Sequence, residues 1–286
     1  MSLPFLIQRK RVSHLLYRVY RKALRTAGLE RPVTLKVPSS VNRTIWIYWD
    51  QGFADAPPIV QACVQSWKNK NPGWEIKLID AETFADFCEM PDLSDEISLN
   101  HRSDILRLRL LNTHGGVWAD ATTYCLRPLD EWLPILAQEG FFVFSWIEGD
   151  AEMVRTAPPR LLGTWFIAAS AGNALIAGWD KAALDYWAER ASSETYFWVH
   201  DAFEYVLSRN SAARNVWQRM PRLGAAGPHH VWHALERGGD VENARAALAS
   251  GAIPLQKLSW RMKASVSEIE NLVASANPQP SESEAG

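Results

Sequence analysis

The segment HRSDILRLRLLNTHGGVWADATTYCLRPLD, residues 101–130, constrains the fold of this chain more than any other part. The helix predicted over residues 103–113 carries apolar side chains on nearly all sides, so we expect it to be buried. Gly115 and Gly116 then end the helix and turn the chain into a short apolar strand. That strand ends at Asp120, and open α/β sheets bind ligands beyond the carboxyl ends of their strands. The segment therefore predicts an α/β fold with an acidic residue at its ligand-binding edge.

Strands and helices alternate along the rest of the chain. We predict strands at residues 44–49, 74–80, 117–120, 141–147 and 165–169, and helices at residues 59–69, 83–91, 103–113, 175–190 and 197–208. This alternation is typical of an α/β fold with a Rossmann-like, mostly parallel sheet flanked by helices, and with extra helices toward the C terminus.

Composition divides the chain into three parts. Residues 1–40 combine a basic amphipathic helix with a linker that contains Pro and Ser. Residues 41–263 contain the alternating strands and helices of the main domain. Residues 264–286 are expected to form a C-terminal tail that is partly disordered, because the sequence from Ala274 onward is rich in Ser, Pro and Glu.

The N-terminal segment, residues 5–25, places basic and apolar side chains on opposite faces of one helix. The basic set is Arg9, Lys10, Arg11, Arg18, Arg21, Lys22 and Arg25, and the apolar set is Val12, Leu16, Val19, Tyr20 and Ala23. This pattern is typical of a helix that lies on an anionic membrane surface. It also fits a helix that packs on the main domain with its charges in solvent, and both interpretations stay open.

The overall composition excludes some classes of protein. A formal net charge of −2 argues against a protein that binds nucleic acid through bulk electrostatics. Cys63, Cys88 and Cys125 are widely spaced, so neither a disulfide framework nor a structural zinc site is expected. The sequence contains neither a signal-peptide core nor an apolar run of about 18 residues. We therefore expect a cytoplasmic protein, peripheral on the inner membrane face if its N-terminal helix binds lipid.

Asp104 and Arg107 are candidate site residues within the predicted buried helix. They are three residues apart and so share one helix face. An acid in the first helical turn also interacts favourably with the helix dipole, which offers a purely structural explanation for Asp104. Arg107 requires a partner, because an unpaired buried guanidinium is costly. An anionic or hydroxyl-rich ligand would satisfy it.

SDILRLRLL followed by HGGVWADAT resembles the SDxxR helix and GGxYxDxD strand of family-32 glycosyltransferases. This family includes the glucosyltransferase domains of large clostridial toxins, and the resemblance is closest to the bacterial capsular polysaccharide synthesis proteins. The segments TIWIYWDQG, SWKNKNPGWEIKLID and QKLSWRMK are similar to the same group, so the resemblance covers roughly residues 41–263.

This resemblance implies a GT-A fold and a hexosyltransferase. The expected donor is a nucleotide sugar, with a UDP-sugar preferred. The expected acceptor is a glycan or lipid-linked oligosaccharide of capsule, exopolysaccharide or lipopolysaccharide synthesis. Retention of the anomeric configuration is implied as well.

The resemblance also implies roles for individual residues. Asp104 and Arg107 would hold hydroxyl groups of the donor sugar, and Asp120 would contact a metal or the ribose. The other expected donor-binding residues are Trp46 or Trp49 as a base-stacking ring, Trp118 as a wall of the site, and Ser259 and Trp260 near the diphosphate. Lys257, next to the LSW segment, is a candidate on chemical grounds, because the negative charge that grows on the departing diphosphate needs a metal or a fixed donor.

Thr122 is a departure from the family pattern, because it occupies the position of the second acid in the Asp-x-Asp motif. The carboxylate of Asp120, two diphosphate oxygens and water molecules would still suffice to bind Mg²⁺ or Mn²⁺. A metal at Asp120 and Thr122 is therefore a hypothesis.

Histidines supply two further candidates. His200 and Asp201 are adjacent and would suit an acid–base pair, although a packed aromatic helix explains them more simply. His229, His230 and His233 resemble a metal site by composition, but no paired acid accompanies them.

Two other function classes compete with a transferase. A catalytically silent module that binds nucleotide sugar or glycan would account for the missing second acid. A glycoside hydrolase would need two carboxylic residues flanking the scissile bond, and no such pair stands out in the sequence.

Overall fold

The computed structural model describes residues 3–27, 40–147, 160–188 and 190–276. Its contacts divide the chain into two compact units, residues 1–37 and residues 38–286. The linker predicted before residue 41 lies largely outside the described residues, as do residues 277–286 of the predicted tail.

The first unit contains helix α1, Leu3–Thr26. Large apolar side chains along this helix are exposed to solvent, namely Val12, Leu15, Leu16, Tyr17, Val19 and Tyr20. None of the described helices, α1 included, is long and apolar enough to cross a membrane. Helix α1 therefore exposes apolar side chains without being a candidate membrane span.

The second unit contains the other helices and all of the described strands. The strands are β1 Thr44–Tyr48, β2 Glu75–Ile79, β3 Gly116–Ala119, β4 Thr123–Cys125, β5 Phe141–Ser145, β6 Leu162–Ala169 and β7 Leu255–Lys257. The helices are α2 Pro58–Lys70, α3 Leu99–His114, α4 Leu129–Leu136, α5 Ala174–Trp187, α6 Trp198–Arg209, α7 Ser211–Arg219, α8 His230–Glu236, α9 Val241–Ala249 and α10 Val266–Ala276.

The central sheet has five strands in the order β2-β1-β3-β6-β5. Strand β1 is parallel to β2 and β3, whereas β6 is antiparallel to both of its neighbours, so four of the five strands run in one direction. Strands β3 and β5 are buried along their whole length, as expected for strands covered on both faces. The predicted α/β fold with a mostly parallel sheet flanked by helices is confirmed.

The two glycines before β3 fix how closely it approaches its neighbours. Gly115 and Gly116 have φ values of +70° and +99°, which residues other than glycine rarely adopt. A Cβ at Gly116 would lie 2.5 Å from the carbonyl oxygen of Thr44 in β1. Because β1 and β3 are parallel neighbours, their carboxyl ends meet at one edge, and Asp120 follows β3 there.

Helix α3 begins at Leu99, four residues before the predicted start, because the side chain of Ser98 caps it by accepting the N–H of His101. Asp104 therefore lies in the second turn of the helix. The helix-dipole explanation for this acid, which assumed the first turn, is wrong.

Other elements also differ from the predictions. The helix predicted at residues 83–91 is one 3₁₀ turn, Phe84–Asp86, preceded by a turn in which Asp80 accepts two backbone N–H groups. Strands β4 and β7 form a separate two-stranded antiparallel sheet that was not predicted. Helix α10 is ordered within the predicted tail, because Ile269 and Leu272 are buried in a second, smaller core.

Candidate functional site

A cleft of about 720 Å³ lies at the carboxyl ends of β1 and β3. Its walls come from residues 48–51 at the end of β1, from α3, from residues 118–122 around the end of β3, from residues 196–200 before and within α6, and from Lys257 of β7 with the segment that follows it. The position agrees with the general rule for ligand sites in open α/β sheets.

Arg107 lies at the centre of a buried cluster in this cleft. Its guanidinium donates to Asp104 Oδ1 at 2.5 Å and to Asp120 Oδ1 at 3.2 Å. Trp118 Nε1 donates to the same Asp120 oxygen at 2.9 Å, and the guanidinium lies 5.1 Å from the centroid of the Trp118 ring. The Arg107 side chain is 6% exposed, so two carboxylates within the protein, rather than a ligand alone, satisfy its charge.

Burial sets the proton affinity of Asp104. Burial and, to a smaller extent, the nearby Asp120 carboxylate raise the pKa of this carboxyl to about 6, against the opposing effect of the Arg107 guanidinium. The contact with Arg107 therefore favours the ionised form of Asp104, which burial disfavours.

Lys257 reaches the cluster from the far end of the sequence. In the β4–β7 ladder Lys257 pairs with Thr123, the residue after Thr122. Its Nζ donates to Thr122 Oγ1 at 2.6 Å and to the carbonyl oxygen of Leu258 at 3.1 Å, and it lies 3.7 Å from Asp120 Oδ2. The structure thus brings together the predicted residues Asp120, Thr122 and Lys257.

The predicted metal ligands, Asp120 and Thr122, already face this ammonium group. They offer one carboxylate and one hydroxyl, and the hydroxyl accepts the hydrogen bond from Lys257. No group of three or more His, Cys, Asp and Glu side chains that could hold a metal ion occurs among the described residues. Because the ammonium group already contacts the Thr122 hydroxyl and lies 3.7 Å from Asp120 Oδ2, its positive charge opposes a divalent cation at the same two side chains, and this donor set does not fit one.

Two tryptophans form the rim of the cleft. Trp49, which follows β1, contacts Trp260 edge-on with ring centroids 6.2 Å apart, and Trp260 is 47% exposed. Trp46 is not in the cleft, because it lies two residues before the end of β1 and is buried in the core. Its Nε1 donates to the carbonyl oxygen of Gly115 at 2.9 Å. Of the two predicted stacking rings, only Trp49 is accessible to a ligand.

Comparison with known proteins places the chain in a family. Residues 6–275 match the model of a family described as capsular polysaccharide synthesis protein. The chain belongs to the capsular polysaccharide synthesis protein family. The resemblance found in the sequence motifs is thereby confirmed.

Two curated relatives share between a quarter and a third of their aligned residues with this family member. It is 26% identical over 159 residues to the O-glycosyltransferase braB of Annulohypoxylon truncatum, which covers 50% of this chain and 37% of the relative. It is 30% identical over 115 residues to the glycosyltransferase afumC of Aspergillus fumigatus, which covers 35% of this chain and 28% of the relative. The chain therefore spans well under half the length of these two relatives. The solved structure of PaToxG glycosyltransferase is similar over 94% of this chain and 95% of that chain, with 13% identity and a TM-score of 0.43.

Ser259, which the family resemblance places near the diphosphate, is not among the described residues that line the cleft. Its Oγ accepts the backbone N–H of Arg261 at 3.3 Å, a contact that stabilises the turn after β7. Its neighbours Trp260 and Arg261 line the cleft, and the Arg261 guanidinium lies 4.7 Å from the centroid of the Trp260 ring. In this family member the cleft is thus bordered by the side chains that follow Ser259.

The histidine candidates separate in the structure. His200 is buried and lines the cleft, whereas Asp201 is exposed, so the two do not form an acid–base pair. Burial, together with Arg160 and Arg107, lowers the pKa of His200 to about 3, and its Nδ1 has no hydrogen-bond partner among the residues that the structure describes. His229 Nδ1 is 2.8 Å from the carbonyl oxygen of Ala225 and therefore acts as the donor in that contact.

Several cleft residues were missed by sequence reasoning. The Tyr48 hydroxyl donates to Asp50 Oδ1 at 2.5 Å, and both residues flank Trp49 at the end of β1. Burial and the Asp50 contact raise the pKa of Tyr48, so its phenol stays protonated. The sequence could have indicated this pair, because polar side chains at the carboxyl end of a strand are candidates for the ligand site. Asn100 donates to the Tyr196 hydroxyl at 3.3 Å, and no sequence pattern links these two residues.

Proposed function

We propose that this protein is a glycosyltransferase that moves a hexose from a nucleotide sugar, preferentially a UDP-sugar, to a glycan acceptor. The observation that carries the proposal is the cluster of Asp104, Arg107, Asp120 and Lys257 at the carboxyl edge of the sheet. The cleft around it, about 720 Å³, falls within the size range of small-molecule and cofactor sites. The names of the two curated relatives support the same reaction class.

The cleft offers a separate surface to each part of such a donor. Trp49 is partly exposed at the rim, and its ring suits stacking on the base. Asp104 and Arg107 face the cleft and suit hydrogen bonds to sugar hydroxyl groups. Asp120 is partly exposed beside Lys257 and suits the ribose and the diphosphate.

The transfer is proposed to proceed with retention by attack on the face from which the leaving group departs. The acceptor oxygen bonds to the anomeric carbon while the bond from that carbon to the β-phosphate oxygen breaks. The electron pair of the broken bond goes to the phosphate oxygen, which takes the proton of the acceptor hydroxyl. Arg107 pairs with both Asp104 and Asp120, so neither carboxylate is a free nucleophile, and this route requires none.

The acceptor is proposed to be a growing capsular, extracellular or lipopolysaccharide glycan at the cytoplasmic face of a membrane. Helix α1 supports this location, because it contains no Asp or Glu and exposes Leu16, Val19 and Tyr20. An apolar face combined with Lys and Arg suits an anionic lipid surface.

Release of nucleoside diphosphate from a panel of UDP-sugars and GDP-sugars tests the proposal. At least one donor should be hydrolysed slowly without acceptor, and Asp120→Asn should abolish that release. The matched control is Asp185→Asn, because Asp185 is an exposed acid that pairs only with Lys181 among the described ion pairs. NMR of the transferred sugar reports its anomeric configuration.

The outcomes separate the candidate functions. Donor-dependent thermal stabilisation without turnover would indicate the alternative, a silent binding module, which Thr122 in place of the second acid favours. Neither turnover nor stabilisation with any donor would contradict the transferase and a nucleotide-sugar-binding module, and would indicate a module that binds glycan alone.

A further inference from the structure

We propose that the ammonium group of Lys257 takes the place of the divalent cation, so that this protein binds a nucleoside diphosphate without metal. The inference rests on the proposed function, because it concerns the diphosphate of the proposed donor. It starts from the position of one side chain between the two residues that would have held the ion.

Lys257 is held at this position by the fold. Its backbone belongs to β7, and the pairing of β7 with β4 brings it next to Thr122. The N–H of Leu258 donates to the carbonyl oxygen of Thr122 at 2.8 Å, which fixes the register at the end of the ladder. The Lys257 side chain is 19% exposed, so the charge is largely withdrawn from bulk solvent yet open to the cleft.

The hydrogen bonds of Lys257 leave capacity for a ligand. An ammonium group has three N–H donors. One donates to Thr122 Oγ1 and another to the carbonyl oxygen of Leu258. Asp120 Oδ2 lies 3.7 Å from Nζ, which is an ion-pair distance and too long for a hydrogen bond. The third N–H is therefore available for a phosphate oxygen in the cleft.

Charge balance supports the same assignment. The guanidinium of Arg107 faces two carboxylates, Asp104 and Asp120, so these three groups carry a net negative charge when both acids are ionised. Without Lys257 that charge would repel a diphosphate. Lys257 offsets it, and Arg261 at the rim adds a second cation on the same side of the cleft.

A fixed cation at this position also suits the chemistry of the proposed transfer. When the bond between the anomeric carbon and the phosphate oxygen breaks, negative charge grows on the departing diphosphate. A preorganised donor stabilises that charge without reorganisation at the moment of reaction. A metal ion beside Asp120 and Thr122 would have to displace the ammonium group, whose hydrogen bond Thr122 Oγ1 already accepts, or bind against its positive charge.

Binding of UDP and of GDP to the full chain, measured by calorimetry in EDTA and in Mn²⁺, tests the inference. The preferred nucleotide should bind with the same Kd within about twofold in the two buffers. Lys257→Met should weaken its binding at least tenfold, whereas Lys263→Met should leave it unchanged. Lys263 is a matched control because it is exposed and lies six residues further along the same segment, outside the cleft lining.

A second variant tests whether the lysine replaces a metal site. Thr122→Asp combined with Lys257→Ser restores two acids and removes the ammonium group. Binding of the nucleotide to this variant should require Mn²⁺, and the free-Mn²⁺ signal in electron paramagnetic resonance should fall when protein and nucleotide are mixed. The wild type should leave that signal unchanged.

The outcomes distinguish this inference from the proposed function. A wild type that binds nucleotide only with Mn²⁺ overturns the inference and leaves the glycosyltransferase proposal standing, and this measurement needs no variant to fold. A wild type that binds neither UDP nor GDP in either buffer overturns both.

Discussion

Lys257 donates a hydrogen bond to Thr122 across 135 residues of sequence. The two residues meet because β7 returns to pair with β4, directly after the strand that delivers Asp120. The acid of the cleft and its neighbouring cation thus come from strands that are far apart in the sequence. Their relationship decides which charges a ligand in the cleft meets.

Removal of the central guanidinium should destabilise the fold. Arg107→Met removes the guanidinium that pairs with Asp104 and Asp120 and leaves Asp104 without its cation in a buried site, and breaking a buried ion pair from one side costs about 3 kcal/mol or more. Urea unfolding measures this loss. Lys181→Met is the control and should change stability by less than about 1 kcal/mol, because its pair with Asp185 is exposed.

The same pair predicts non-additivity. Asp104→Asn combined with Arg107→Met removes both charges, so the double variant should lose less stability than the sum of the two single variants. Strictly additive losses would show that the two side chains do not depend on each other.

Close packing of β3 against β1 predicts a strong effect at one glycine. Gly116→Ala forces a positive φ on alanine and places a methyl group 2.5 Å from the carbonyl oxygen of Thr44. We expect a loss of at least about 2 kcal/mol in urea unfolding, since both strain and overpacking contribute. Gly172→Ala is the matched control, because Gly172 also has positive φ but no atom lies within 4 Å of the added Cβ. Equal losses at both positions would contradict the role of close approach.

The two tryptophans of β1 and its end should give opposite phenotypes. Trp49→Ala should weaken nucleotide binding about tenfold with a small change in stability, since stacking on an aromatic ring contributes about 1–3 kcal/mol per base. Trp46→Ala should instead lower the free energy of unfolding by about 3 kcal/mol or more, because that ring is buried in the core. Calorimetry and urea unfolding measure the two effects. If the Trp46 variant folded and lost nucleotide affinity while the Trp49 variant kept it, the base-stacking role would belong to Trp46.

Buried neutral histidines predict acid sensitivity. Burial lowers the pKa of His229 to about 4, and that of His200 is lowered to about 3. Below a pH of about 6.5 the unfolded chain takes up these protons and the native state does not, so stability is full above that pH and is lost as pH falls toward 4. The unfolding midpoint in denaturant should therefore decrease over this window. His200→Leu should flatten the decrease without lowering stability at pH 7.5, and an unchanged pH profile would contradict the interpretation.

Helix α1 gives a prediction about membranes. Leu16→Asp combined with Val19→Asp should reduce sedimentation with phosphatidylserine vesicles several-fold, because both apolar side chains are exposed on the helix. Neutral phosphatidylcholine vesicles are the control and should bind the wild type weakly. Equal binding of wild type and variant to the anionic vesicles would rule out this face as the membrane contact.

Local sequence patterns anticipated the centre of the site. Asp104 and Arg107 share a face because residues three apart do so on any helix, and Asp120 follows β3 because Gly115 and Gly116 turn the chain into that strand. The start of α3 was less predictable, since the cap at Ser98 depends on one side-chain hydrogen bond. Depth along β1 was not predictable either. Periodicity does not tell which residues of a strand lie deep in the core. In the structure Trp46 is buried there, whereas Trp49 lines the cleft.

The sequence by itself determined the α/β alternation, the helix–glycine–strand segment and the family, because each of these depends on residues close together in the chain. Only the tertiary structure decided that Lys257 lies beside Asp120 and Thr122, that His200 faces the cleft and that Tyr196 meets Asn100. These contacts depend on the pairing of β4 with β7 and on the packing of the segment that begins α6. Such long-range arrangements are selected by burial of the whole core rather than by any local pattern.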